Sequence, residues 1–120
     1  MLEAVGSMPW RSFADTLATA WERAGYSVER LTGSNATGAD MRLSQGGKTT
    51  LVSAKRWKAA RTGVEPLREL QAVREKRGAR EAIYIALGDV SDNALQYARA
   101  QGVSLMTAPE LAKLLRDLKP

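Results

Sequence analysis

Between Glu81 and Leu87 the chain reads Glu-Ala-Ile-Tyr-Ile-Ala-Leu, a short run with no charge after its first residue. A run this short and this continuously apolar is a strand, and a strand apolar on both alternating faces needs cover on both sides. That requirement selects an α/β sandwich in which helices pack on either face of a sheet. The flanking segments supply such covers. Before it, Glu65 to Arg77 carries Leu67, Leu70 and Val73 at helical spacing. Either Thr62 with Glu65 forms a capping box for this helix, or Pro66 marks its first position. After it, Ser91 is placed to cap a helix carrying Ala94, Leu95 and Ala98 and ended by Gly102.

The remaining elements follow from the same periodicities. Trp10, Phe13, Leu17, Trp21 and Ala24 form one stripe of a helix that Pro9 opens and Gly25 stops. Tyr26 to Leu31 reads as a first strand, and Thr32 to Gly38 as a polar loop. Ala39 to Ser44 reads as a second strand. Gln45-Gly46-Gly47 is a hairpin turn into a third, expected from Lys48 to Trp57. Arg61 to Gly63 is a connection. Val103 to Met106 is a last short strand, and Thr107 with Glu110 predicts a capping box for a final helix with Leu111, Leu114, Leu115 and Leu118 on its buried face. The expected order is therefore α-β-β-β-α-β-α-β-α, a mixed central sheet flanked by helices. Residues 1–120 are expected to form a single domain, with residues 1–8 disordered or connecting to a missing region. No run approaches the roughly 18 apolar residues that cross a bilayer, so the chain is expected to be soluble, cytoplasmic and without membrane contact of its own.

Composition narrows the chemistry further. The chain has neither His nor Cys. Hydrolysis through a histidine base, zinc sites and disulfides all lack their residues. Chemistry must run on carboxylates, Lys, hydroxyls and a hard cation such as Mg²⁺. The net charge of +5 points to an anionic partner, nucleic acid first and a membrane surface second.

One constellation matches that chemistry. Asp40 opens the second strand, and Ser53-Ala54-Lys55-Arg56-Trp57 closes the third. Alternation puts Ser53 and Lys55 on one face and Val52 and Ala54 on the other. The hairpin places Asp40 beside Ser53 and Lys55, where they form either a cation and phosphate site or a surface ion pair. Lys55, Arg56, Lys58 and Arg61 form a basic cluster around Trp57. It serves either backbone phosphates, with the indole stacked on a base or sugar, or a solvated edge with Trp57 half buried. Arg74, Lys76, Arg77 and Arg80 fit a solvated helix end better.

The segments Trp10-Arg11-Ser12-Phe13, Ala24-Gly25-Tyr26-Ser27-Val28, Gly38-Ala39-Asp40, Ala54-Lys55-Arg56-Trp57 and Gly63 to Leu70 occur in an order that resembles the Mrr-type (type IV) restriction endonuclease domain of the PD-(D/E)XK nuclease superfamily. The resemblance implies a restriction-endonuclease-like three-layer fold and Mg²⁺-dependent cutting of DNA in restriction or defence. It assigns Asp40 as the metal-binding aspartate and Lys55 as the lysine that orients the attacking water, with Ser53 as the third catalytic position. Metal ligands would be Asp40 and the main-chain carbonyl of Ala54, holding Mg²⁺ or Mn²⁺ weakly. Lys55, Arg56, Trp57, Lys58 and Arg61 would contact double-stranded DNA; homodimerisation is left open. Two positions depart from the family. Ser53 stands where Gln or Glu is usual, and Ala14 where Glu is frequent; Asp15, about 100° further round the helix, is a poor substitute. The expectation is an eroded nuclease site. The alternatives are a catalytically inactive DNA-binding module and a regulatory interaction domain of a larger, membrane-anchored chain.

Overall fold

The computed structural model describes residues 2–116, apart from the side chains of residues 2–4 and 35. Leu118 of the last expected stripe lies outside them. Two helices lead, α1 (Leu2–Ser7) and α2 (Trp10–Arg23), followed by β1 (Ser27–Arg30), a 3-10 turn (Gly33–Ala36), β2 (Met41–Gln45) and β3 (Lys48–Ser53). Then come β4 (Arg61–Thr62), α3 (Glu65–Arg77), β5 (Glu81–Ile85), β6 (Asp89–Val90), α4 (Asp92–Gln101), β7 (Ser104–Met106) and α5 (Ala108–Leu115).

Five strands form one mixed sheet in the order β1-β2-β3-β5-β7. The hairpin sets the register: Gly46 and Gly47 both take positive φ, which is the twist a two-residue turn needs, so Gln45 pairs with Lys48 and Met41 with Val52. β3 and β5 run parallel, as do β5 and β7, each joined by a crossover helix. The apolar run is therefore an interior strand, as its composition predicts.

Alternation along β3 and β5 divides the core into two layers. Val52, Ala54 and Ile85 face α2 and α5 and pack with Phe13, Leu17, Trp21, Leu111 and Leu115. Leu51, Ala82 and Tyr84 face α3 and α4 and pack with Leu67, Leu70, Ala94 and Ala98. Helix ends follow their sequence signals. Ser91 Oγ accepts from the Ala94 N–H at 3.1 Å, Thr107 and Glu110 form the capping box, and Gly78 and Gly102 close α3 and α4 in the left-handed conformation.

Three expectations are corrected and one open alternative is decided. Residues 2–7 form α1 rather than a disordered segment; Val5 is buried, because its side chain completes the apolar layer under α2 and α5. The third strand ends at Ser53, not Trp57, for a reason that belongs to the site below. Of the two starts left open for α3, the Thr62–Glu65 capping box is absent. Val64 stands at the N-cap without a side-chain bond and Pro66 occupies the first turn. Thr62 instead lies in β4, which pairs in parallel with β6. Two-residue strands carry no readable period, so neither β4 nor β6 was legible.

Candidate active site

Asp40 sits where β1, β2 and β3 meet. Its N–H donates to Val52 O at 2.7 Å and its carbonyl accepts from Leu31 N at 3.0 Å, which fixes the backbone between the two neighbouring strands. The side chain then reaches across the hairpin. Oδ2 accepts from the N–H groups of Ala54 at 2.6 Å and Lys55 at 2.8 Å. A carboxylate gripped by two amides makes short, charge-assisted bonds, and these draw Ala54 out of the ladder. The strand stops there, and a turn follows in which Trp57 N donates to Ala54 O at 3.1 Å and Ala59 N to Arg56 O at 3.0 Å. Asp40 thus bonds the backbone of Lys55, and the surface ion pair between their side chains does not form. The three salt bridges among the described residues are Arg30–Asp15, Arg42–Glu29 and Arg68–Glu65. Oδ1 has no protein hydrogen-bond partner among the described residues.

On the α3 side of the sheet, Asp40, Ser53, Lys55, Arg56, Glu69 and Tyr84 line one cleft of about 120 Å³. The three residues singled out from sequence are brought together, on the face that alternation assigns to Ser53 and Lys55. Glu69 and Tyr84 were missed. Tyr84 stands directly beside Ser53 across the parallel β3–β5 pair; it is core, as its place in an apolar run implies, and it also borders the cleft, which the run does not reveal. Burial holds its phenol above the ordinary value of 10.0; Arg56 opposes this, and the charges of Asp40 and Glu69 reinforce it. The hydroxyl is therefore a protonated donor at neutral pH. Thr62 Oγ1, buried beside it, lacks a well-formed hydrogen bond, so the Tyr84–Thr62 approach lowers that phenol only slightly.

Glu69 reaches the cleft because α3 lies close to the loop that delivers Asp40. A side chain at Gly38 would put its Cβ 2.9 Å from Glu69 O and 2.7 Å from Val73 Cγ2, and the positive φ of 82° there also favours glycine. The loop thus touches the helix backbone at the turn that carries Glu69.

The basic cluster divides. Lys55 and Arg56 are exposed at the cleft, and Lys58 and Arg61 are exposed beyond it. Trp57 is corrected: it is 3% exposed, stacks on Phe13 at 4.3 Å between centroids, and donates Nε1–H to Val5 O at 3.3 Å. An indole so covered offers no face to a base. Lys58 Nζ lies 5.1 Å from the same ring. Arg74 is likewise structural, its guanidinium donating to the carbonyls of Arg80, Gln101 and Gly102. Across the sheet edge, Ala14 and Asp40 line a second pocket, whereas Asp15 faces away and pairs with Arg30 at 2.5 Å.

Fold and site together define a restriction-endonuclease-like domain. The chain superposes on the solved structure of a protein of unknown function, AF1548, with a TM-score of 0.68 and 19% identity, covering 85% of this chain and 62% of that one. It superposes on the MspJI restriction endonuclease, solved in complex with a 27-mer oligonucleotide, with a TM-score of 0.58 and 20% identity, covering 87% of this chain and 26% of that one. This chain therefore spans under two thirds of either neighbour. A comparison with curated proteins finds no match. The family model of the Mrr_cat restriction endonuclease domain matches residues 5–115, and the chain belongs to that family.

The donor set suits a hard cation. Asp40 presents an oxygen without a hydrogen-bond partner among the described residues and Ser53 a hydroxyl, both oxygen donors; Ala54 is not among the residues that line the cleft, and its carbonyl accepts from Trp57 N. Among the described residues no cluster of three or more His, Cys, Asp or Glu exists. Few protein ligands and several waters is the habit of Mg²⁺ and Mn²⁺ rather than zinc. Among the described residues no helix is long and apolar enough to cross a membrane.

Proposed function

We propose that this domain hydrolyses phosphodiester bonds of double-stranded DNA at the Asp40–Ser53–Lys55 cleft, in a restriction or defence role in the cytoplasm. The observation that carries this reading is the convergence of a fixed carboxylate, a lysine and exposed arginine in one cleft of a restriction endonuclease family member. Asp40 would hold Mg²⁺ or Mn²⁺. Such an ion supplies charge neutralisation at the phosphate and Lewis acidity.

The chain's own residues do the rest. Lys55 orients the attacking water and donates to the phosphate oxygens as negative charge builds on them. Tyr84, packed beneath the cleft beside Ser53, keeps a protonated phenol and adds no negative charge there. The water oxygen forms the new P–O bond, one ester P–O bond breaks, and the proton released by the water passes to the departing alkoxide. Arg56, Lys58 and Arg61 hold the backbone phosphates on either side, so binding is governed by phosphate contacts with little base preference.

Nicking of supercoiled plasmid with Mg²⁺ or Mn²⁺ tests the proposal. Wild type cuts, while Asp40→Asn and Lys55→Ala lose about two to three orders of magnitude in rate. Asn is preferred to Ala at position 40 because its amide oxygen still accepts from Ala54 and Lys55, whereas Ala leaves two amides unpaired at about 1–3 kcal/mol each. Equal cutting by wild type and Asp40→Asn removes the activity from this cleft. No cutting by wild type, with DNA binding intact, makes the domain a binding module; the employment of Asp40 Oδ2 in the backbone turn is the observation that favours this second reading.

A further inference from the structure

β3 ends on a hydroxyl, at Ser53, so the β2–β3 hairpin and the residues flanking it bring a single carboxylate, Asp40, to the cleft. A second carboxylate arrives from another element. Glu69 lies on α3 between Leu67 and Leu70, which are fully buried against the sheet, and its own side chain is exposed toward the cleft. Pro66, one turn earlier on the same helix face, lines the same cleft. Glu69 joins none of the salt bridges or side-chain hydrogen bonds among the described residues; its neighbour Arg68 pairs with Glu65 at 3.0 Å and lies over the Tyr97 ring. A carboxylate left unpaired beside Lys55, Arg56 and a second carboxylate is not spent on stability.

The placement is built rather than incidental. Gly38, two residues before Asp40, has no room for a Cβ because the Glu69 carbonyl and Val73 occupy that space. The contact ties the segment delivering one carboxylate to the helical turn delivering the other. Both carboxylates line the cleft into which Tyr84 also faces, and both act on its phenol.

We propose that Glu69 is the second carboxylate ligand of the divalent-cation site, supplied by α3 in place of the strand residue at position 53. This rests on the reading of the cleft as the phosphodiester-hydrolysing site, and it means that the site is rearranged rather than eroded. Oxygen ligands from two separate parts of the chain, the segment leading into β2 and the helix α3, then bracket the ion.

Calorimetric titration of the whole chain with MnCl₂, without DNA, tests it, with folding of each variant checked by circular dichroism. Glu69→Gln is expected to weaken Mn²⁺ at least about tenfold while leaving DNA binding in EDTA as tight as wild type or tighter, since it removes a negative charge from the phosphate path. The double variant Ser53→Glu/Glu69→Gln is expected to recover most of the affinity, because it returns a carboxylate to the cleft from the strand. If Asp40→Asn abolishes Mn²⁺ binding but Glu69→Gln does not change it, the role given to Glu69 is wrong and the site reading stands. If neither variant changes it, the cation binds elsewhere and both fail. Loss of Mn²⁺ binding in Glu69→Gln without recovery in the double variant also overturns the replacement, since position 53 then does not serve the same ligand position.

Discussion

The two faces of the β3 strand end meet different fates. On the α2 and α5 side the strand end is packed: Val52, Ala54 and Ile85 meet Phe13, Trp21 and Trp57, and even the indole N–H of Trp57 is used, by the Val5 carbonyl. On the α3 side the core is complete as far as Leu51 and Leu70 and then opens, leaving Ser53, Tyr84 and Glu69 around a polar cleft. Lys55 and Trp57 are two residues apart and end up in these opposite environments. The lesson is that aromatic residues amid basic ones do not by themselves mark a nucleic-acid surface. The packed side anchors the turn from which the open side presents Lys55 and Arg56.

The largest effect that tests this contrast is on stability. Trp57→Ala is expected to cost about 3–5 kcal/mol in urea denaturation, the range for removing a buried aromatic, and to leave the DNA affinity of the folded fraction unchanged. A cost below about 1 kcal/mol with lost DNA binding would return Trp57 to the open side. On the other face, Lys58→Glu and Arg61→Glu are each expected to change stability little and to flatten the slope of log affinity against log salt by roughly one unit. Affinity that is insensitive to salt in wild type removes the phosphate contacts altogether.

The smallest effect is in Tyr84. Its folded-state pKa is raised above 10.0, so the folded chain keeps a proton that the unfolded chain releases. Its contribution to folding is complete below pH 10 and is lost as pH rises through the raised value. Absorbance at 295 nm should show a phenol that titrates above the ordinary range and disappears in Tyr84→Phe, and that variant should lose less stability at alkaline pH. A Tyr84 titrating at or below 10 would mean that the cleft is wetter than its burial implies.

Much of this molecule was present in local pattern. The stripe Phe13, Leu17 and Trp21, the Gly46-Gly47 turn, the Ser91 cap and the Thr107–Glu110 box each act within a few residues, so sequence spacing alone placed α2, the hairpin, α4 and α5. Alternation likewise assigned Ser53 and Lys55 to one face, and the order of segments pointed to the family. Tertiary structure decided the rest, because the deciding contacts join distant parts of the chain. The third strand ends at Ser53 only because a carboxylate 14 residues earlier captures the Ala54 amide. Trp57 is core only because α1 and α2 close over it. Glu69, on a helix face that reads as solvated, comes to line the cleft where Gly38 lets the loop before β2 press against α3. Periodicity reports which side of an element is apolar; it carries no information about which polar groups from separate elements will share a cleft.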